Sequence, residues 1–289
     1  MPLIDPEVAA KIERLELPFN RYGLDPYGID KGYLRGFFSF LNFFYSKWLT
    51  VDAYGLENVP DRGRTMIVGN HSGGIALDGG MIIASLMLDK SPPRLAQGMA
   101  EIFLNSTPFA STILSRVGQF TGLPEHAVRL LEDDRLLMVF PEGARGTAKL
   151  YPQRNSLVRF GTGFIRLALQ TGTPIVPTAF IGGGEAIPTV ANLYRLGKLV
   201  GAPYVPVTPW IAPLPRPTRC QIYYGPPMTF EGDGSEEDAL IMEYVEQVKA
   251  RIGELIEFGV ENRRRNDFGR PIPDGSDVQT SIPAAGDHS

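Results

Sequence analysis

Short apolar runs that stop at glycine or proline, separated by stretches of helical length, constrain this chain more than any other feature. The runs lie in LTVDAY (49–54), TMIVG (65–69), RLLMVFPEG (135–143), TPIVPTAFIGG (173–183) and RCQIYYGPPM (219–228). Between them GGMIIASLMLDK (79–90) reads as a buried helix and PEHAVRLLEDD (124–134) as an amphipathic one, with Ala127, Leu130 and Leu131 on one side. SLVRFGTGFIRLALQTG (156–172) reads as a helix stopped by Gly172, and 236–258 as a long amphipathic helix. A strand that must cross over a helix before the next strand pairs in parallel, so the expected fold is α/β: a mostly parallel central sheet with helices on both faces. PRLAQGMAEIFL (93–104) is expected to hold a further strand passing into a helix, and TPFASTILSRVG (107–118) to be helical. The domain spans 51–260.

The flanks differ in character. Residues 1–50 form an N-terminal helical segment, with a helix from Pro6 to Leu15 and then YLRGFFSFLNFFYSKWL (33–49), which carries Tyr33, Phe37, Phe38, Phe40, Phe43, Phe44, Tyr45 and Trp48. Such a helix either lies in a lipid headgroup region, its basic ends Arg35 and Lys47 on phosphates, or packs on the chain's own core. Residues 201–217 hold six prolines and are expected to form an extended surface loop near the active face, or a second lipid contact. Residues 261–289, polar and rich in Gly, Pro, Ser and Asp, read as a disordered tail from about 266. No stretch approaches the ~20 apolar residues of a spanning helix. A net charge of −4 argues against nucleic acid as a partner. One cysteine, Cys220, and no apolar leader suit a reducing compartment. The expectation is therefore a cytoplasmic chain, peripheral to the membrane.

Only three histidines occur, and His71 stands at a strand end in VGNHSGGIALDGG, followed by Asp78. An imidazole takes a proton from an alcohol near neutral pH, and a carboxylate on its far nitrogen fixes the tautomer. A second cluster, VFPEGARGT (139–147), brings Glu142 and Arg145 to a strand end, with Gly143 allowing close approach of a ligand. Arg145 offers the planar fork that suits phosphate, and Glu142 is placed to orient it or to accept from a substrate hydroxyl; the alternative is a surface Glu–Arg pair. A third, TPIVPTAFIGGGEAIP (173–188), suits a wall close to a ligand at Pro177, or simply a strand and flexible turn. Its three glycines are not a dinucleotide fingerprint, since no helix obviously opens from them.

In their order and combination these blocks, NHSGGIALD, FPEGAR and IVPTAFIGG, together with the lead-in GLENVP, resemble the glycerolipid or lysophospholipid acyltransferase family over roughly residues 35–230. The resemblance extends to its diacylglycerol acyltransferase-like branch. It implies an acyl thioester donor (acyl-CoA or acyl-carrier protein), a glycerolipid acceptor, no cofactor and no metal. Two departures stand out. Six residues separate His71 from Asp78 where the family usually has four; in an unbroken helix the pair would stand about 10 Å apart. Ser72-Gly73-Gly74 must therefore loop out, or Asp78 caps the next helix, or a backbone carbonyl supports the ring. The middle block, SRVGQFTGLPEHA, lacks the usual arginine after glycine and offers Arg116 instead.

The expected chemistry is direct transfer of a fatty acyl group from the thioester to a lipid hydroxyl, with His71 as general base and Asp78 behind it. Asn70, Ser72, Gly73, Gly74, Glu142, Gly143, Arg145, Arg116 and Pro177 are expected to bind the substrates, the Gly73–Gly74 amides serving a developing oxyanion. A thioester hydrolase would use the same constellation with water as acceptor, and a non-catalytic lipid-binding protein would keep the fold alone.

Overall fold

The apolar runs pair as expected and close into one sheet. In the computed structural model, which describes residues 4–73, 77–100, 110–121, 124–199, 201–210, 214–268 and 270–274, nine strands occur in chain order: β1 (Val51–Tyr54), β2 (Thr65–Gly69), β3 (Ala96–Ala100), β4 (Gln119–Thr121), β5 (Leu136–Val139), β6 (Ile175–Ile181), β7 (Ala191–Leu193), β8 (Val205–Val207) and β9 (Cys220–Tyr224). Seven of them form a sheet in the order β1-β9-β6-β2-β5-β3-β4, and β7 and β8 make a separate two-stranded ribbon. Every pair in the large sheet is parallel except β6–β9, so β1 and β9 run against the other five. β2, β5, β6 and β9 are buried on both faces, which is why they read as continuous apolar runs instead of alternating ones.

Two helical layers cover the sheet. On one face the helices Pro6–Glu13, Lys31–Asn42 and Leu77–Leu88 share a core with Ile67, Val176, Phe180 and Ile222. The Leu77–Leu88 helix lies between the sheet and the N-terminal helices, and so is apolar on nearly every side. On the other face the helices Pro124–Glu132, Gly163–Thr171 and Asp238–Arg265 pack on Met66, Val68, Leu137, Ala179 and Tyr223.

The aromatic stretch packs on the chain's own core along one side and is exposed along the other. Leu34, Phe38, Leu41 and Tyr45 are buried, whereas Phe40, Phe43 and Trp48 are exposed. Its end, Phe43–Trp48, is wound as a π-helical turn running into β1. Among the described residues no helix is long and apolar enough to cross a membrane.

Three local expectations are corrected. The polar tail does not begin at 261: the helix runs on to Arg265, Asn262 is buried, and 270–274 return to the body, where Pro273 O accepts from Arg251 and Ile272 packs near Gly55. Buried partners on the core hold this polar stretch in place; residues 275–289 lie outside the described ones. The proline-rich stretch is not wholly irregular, because Val205–Val207 pairs with Ala191–Leu193. A helical turn, Gly183–Ala186, does open from the triple glycine, with Gly182 at φ 106° turning the chain into it.

The long C-terminal helix lies on β6 and β9 through Gly259, where a Cβ would sit 2.6 Å from Tyr223 Cε2 and 2.9 Å from Ile181 Cγ1. At Gly253 the nearest atom would be Leu157 Cδ1 at 3.9 Å. Denaturant titration should therefore show Gly259→Ala losing about 1–3 kcal/mol through overpacking. Gly253→Ala should gain about 0.5–1 kcal/mol from helix propensity. Cys220 is fully buried, and burial pushes its thiol up to about 12. It should resist an aromatic disulfide reagent at pH 8 in the native protein and react at once in denaturant.

Candidate functional site

The order β6-β2-β5 puts the carboxyl ends of three parallel strands side by side, and each is followed by one of the three sequence clusters. The central one, β2, runs directly into Asn70 and His71. Asn70 prolongs the strand with its side chain: Oδ1 accepts from Phe180 N at 2.8 Å and Nδ2 donates to Phe180 O at 3.2 Å. Asn70 is thus a buried tie between β2 and β6, not a residue offered to substrate.

The spacing problem is resolved by the loop. Gly73, at φ 94°, leaves helical geometry directly after Ser72, and Asp78 stands in the first turn of the helix described from Leu77. His71 Nδ1 lies 3.1 Å from both Asp78 oxygens. Asp78 also accepts from Ser72 N at 3.0 Å and from Gly79 N at 2.8 Å, which holds its carboxylate in place beside the ring. The imidazole stacks on Phe140, centroids 4.2 Å apart and planes 15° apart, so β5 supplies its floor. His71 is 6% exposed. With Nδ1 on Asp78, Nε2 is the ring nitrogen left without a hydrogen bond among the described residues.

Glu142 has a different role from the one its motif suggests. It does not pair with Arg145. Its Oε1 accepts from His71 N at 2.9 Å, and its Oε2 accepts from Val158 N at 2.9 Å and lies 2.6 Å from Lys149 Nζ. Lys149 Nζ in turn donates to His71 O at 2.7 Å. The N–H and C=O of the histidine are thus both held by one buried ion pair. Burial pushes Lys149 below the ordinary lysine range against the opposing pull of Glu142. Gly146 is obligatory here, because a Cβ would come within 2.7 Å of Glu142 Cβ and 2.8 Å of His71 Cβ.

Released from Glu142, Arg145 is exposed and makes no ion pair or side-chain hydrogen bond among the described residues, leaving its fork open to a ligand. Gly143, at φ 54°, has open space where a Cβ would be. Arg159, equally exposed and unpaired, follows Val158, whose N–H bonds Glu142. Neither Lys149 nor Arg159 was singled out from the sequence: Lys149 carries no motif, and Arg159 fell in the stretch read as a helix from 156, whereas the helix begins at Gly163. Ser72 is buried with Oγ against Gly183, where a Cβ would meet it at 2.1 Å. Its N–H is committed to Asp78. Gly74 lies outside the described residues. Pro177 is interior to β6, in register with Val68, and packs the sheet below the site.

Arg116 is not brought to the site. It closes the Ala110–Arg116 helix before β4 and donates to Gly28 O at 3.1 Å, at the amino edge of the parallel strands and opposite His71. A cavity of about 640 Å³ opens on that far edge, between Leu17, Pro93, Asp133 and Arg135.

Glu142→Gln and Lys149→Met each leave one buried charge unpaired, and each should cost about 3–5 kcal/mol in denaturant unfolding. The double variant should cost clearly less than the sum of the two. Equal additivity would mean the pair is not coupled.

The Acyltransferase family model matches residues 50–181, which contain His71, Asp78, Glu142 and Arg145. A Mycobacterium leprae protein of uncharacterised function is 30% identical over 260 residues, covering 86% of this chain and 71% of that protein. The Bos taurus DGAT1/2-independent enzyme synthesizing storage lipids is 24% identical over 213 residues, 73% of this chain and 60% of that protein. The crystal structure of the 1-acyl-sn-glycerophosphate acyltransferase PlsC from Thermotoga maritima shares the fold, with a TM-score of 0.52 at 20% identity, over 76% of this chain and 78% of that one. Ordered strands, a histidine–aspartate pair at the centre of the sheet and these likenesses agree: the chain belongs to the acyltransferase family.

Proposed function

We propose that this protein moves a fatty acyl group from an acyl-CoA or acyl-carrier thioester to a hydroxyl of a glycerolipid, with His71 as general base. The observation that carries the reading is the His71–Asp78 pair at 3.1 Å, at the carboxyl edge of the sheet on the side of the unpaired Arg145. Nε2 takes the proton of the acceptor hydroxyl, and the oxygen attacks the thioester carbonyl directly. Asp78 stabilises the imidazolium. As the tetrahedral intermediate collapses, the C–S bond breaks and the imidazolium returns its proton to the departing thiolate. With the Ser72 N–H taken by Asp78, Gly73 is the described backbone donor left on that loop for the oxyanion.

Arg145, joined by Arg159, is the proposed anchor for an acceptor phosphate, in place of the distant Arg116. The acceptor is a membrane lipid, so the protein works peripherally at a bilayer, on the cytoplasmic face. In support, the antiparallel turn of β1 and β9 brings the exposed Trp48 to the same sheet edge as His71.

His71→Ala should lower acyl transfer about 10²–10⁴-fold, and Asp78→Asn should fall in the same range. The readout is mass-spectrometric detection of acylated product from long-chain acyl-CoA and a panel of lysophospholipids and acylglycerols. Wild-type rates in His71→Ala would remove the base from the mechanism. Free fatty acid released at a rate that no acceptor slows would mark a thioester hydrolase. Arg145→Ala should raise KM about 10–100-fold for a phosphate-bearing acceptor, and much less for a neutral acylglycerol.

A further inference from the structure

The stretch after β6 differs in chemistry from the rest of this acidic chain. From Ala186 to Phe230 there is no aspartate or glutamate, although the whole chain carries 32 acidic residues, and Arg195, Lys198, Arg216 and Arg219 all fall within it. Arg216 and Arg219 are occupied, the first by Glu185 O and the second by Asp52. Arg195 and Lys198 are exposed and make no ion pair or side-chain hydrogen bond among the described residues. They sit on a six-residue helix, Tyr194–Leu199, that caps the β7–β8 ribbon.

The apolar side chains beside these cations also face solvent. Leu193 is 45% exposed, Tyr194 57% and Leu199 81%, with Leu196 exposed between them. Gly197 makes the close contact, since a Cβ there would lie 2.4 Å from Tyr204 Cα, so the other residues of the turn are turned outward. Isolated exposed apolar residues need no explanation, but a run of them between unpaired cations does.

The ribbon is also tied to the site. Asn192 Nδ2 donates to Ala148 O at 2.7 Å, next to Lys149, and Tyr151 N donates to Thr189 O at 2.8 Å. From β8 the chain runs on to Pro215, whose carbonyl accepts from Trp48 Nε1 at 2.8 Å. There it meets a second stretch without carboxylates, 31–51.

We propose that the ribbon and helix described by residues 190–199 and 201–207 form a docking surface for an anionic lipid bilayer. Leu193, Tyr194, Leu196 and Leu199 enter the headgroup boundary, and Arg195 and Lys198 lie on lipid phosphates. Apolar residues interleaved with cations and free of carboxylates complement a negatively charged lipid surface. The proposal rests on the acyltransferase reading for its purpose, since docking here would bring the sheet edge carrying His71 to a lipid acceptor. Its test needs no turnover.

The full chain is floated with vesicles of phosphatidylcholine alone or with 30 mol% phosphatidylglycerol, at low and high salt. The expected result is binding that needs the anionic lipid and weakens with salt. Arg195→Glu with Lys198→Glu should reduce it at least tenfold, and Tyr194→Ser with Leu199→Ser should do likewise, both without a change in melting temperature. Unchanged binding in these variants, or binding indifferent to lipid charge, overturns the proposal. So does binding lost only with Phe43→Ser, which would confine the contact to the N-terminal helix. A raised KM for acyl-CoA in detergent with vesicle binding intact would make the cations a donor site and equally overturn it. Loss of acyl transfer in His71→Ala with vesicle binding retained separates this surface from the chemistry.

Discussion

The hold of the Glu142–Lys149 ion pair on the backbone of His71 organises this protein's site. Removing two charges from water costs several kcal/mol each, and the cost is offset only when every donor and acceptor is satisfied. Here four contacts contribute to that offset: Glu142 accepts from the His71 and Val158 amides and from Lys149, and Lys149 donates to the His71 carbonyl as well. The pair joins the loop after β2, the loop after β5 and the strap leading to the next helix. Because its partners are main-chain groups of the histidine, it fixes the ring's origin while Asp78 and Phe140 fix its orientation.

The two edges of the sheet differ in the cations they leave unpaired, although the carboxyl edge also holds the pairs Arg219–Asp52 and Arg154–Glu185. At the amino edge the charged groups are mostly paired: Arg135 with Asp25, Lys90 with Asp61, Arg64 with Asp134, Arg62 with Glu16, and Arg94 on backbone carbonyls. At the carboxyl edge Arg145 and Arg159 are left open beside a buried histidine, and beyond them the carboxylate-free ribbon exposes Arg195 and Lys198. An ion-paired edge favours a closed structural end. Unpaired guanidinium groups favour an incoming anion.

Much of this was legible in the chain. Runs such as TMIV and LLMV announced strands buried on both faces, and helices of crossover length between them left a parallel sheet as the simple solution. His71 could be picked out because it ends a central strand and is followed by a carboxylate. The role of Glu142 was misread because its nearest cation in sequence, Arg145, is not its partner in space. Lys149 went unnoticed because nothing local marks a lysine that will be buried. The tail was placed too early, since polarity signals solvent unless long-range partners exist, and Asn262, Ile272 and Pro273 have them.

What the sequence determined by itself was periodic and local: where strands and helices lie, which residues end them, and that a histidine, an arginine and a glycine-rich wall fall at strand ends. Only the tertiary structure decided strand order, the reversal of β1 and β9, the contact of Asp78 with His71 despite their spacing, and the exchange of Arg145 for Lys149 as partner of Glu142. The division has a physical origin. Backbone geometry and apolar patterning act over a few residues, whereas a buried charge takes whichever opposite charge folding brings to it, however distant along the chain.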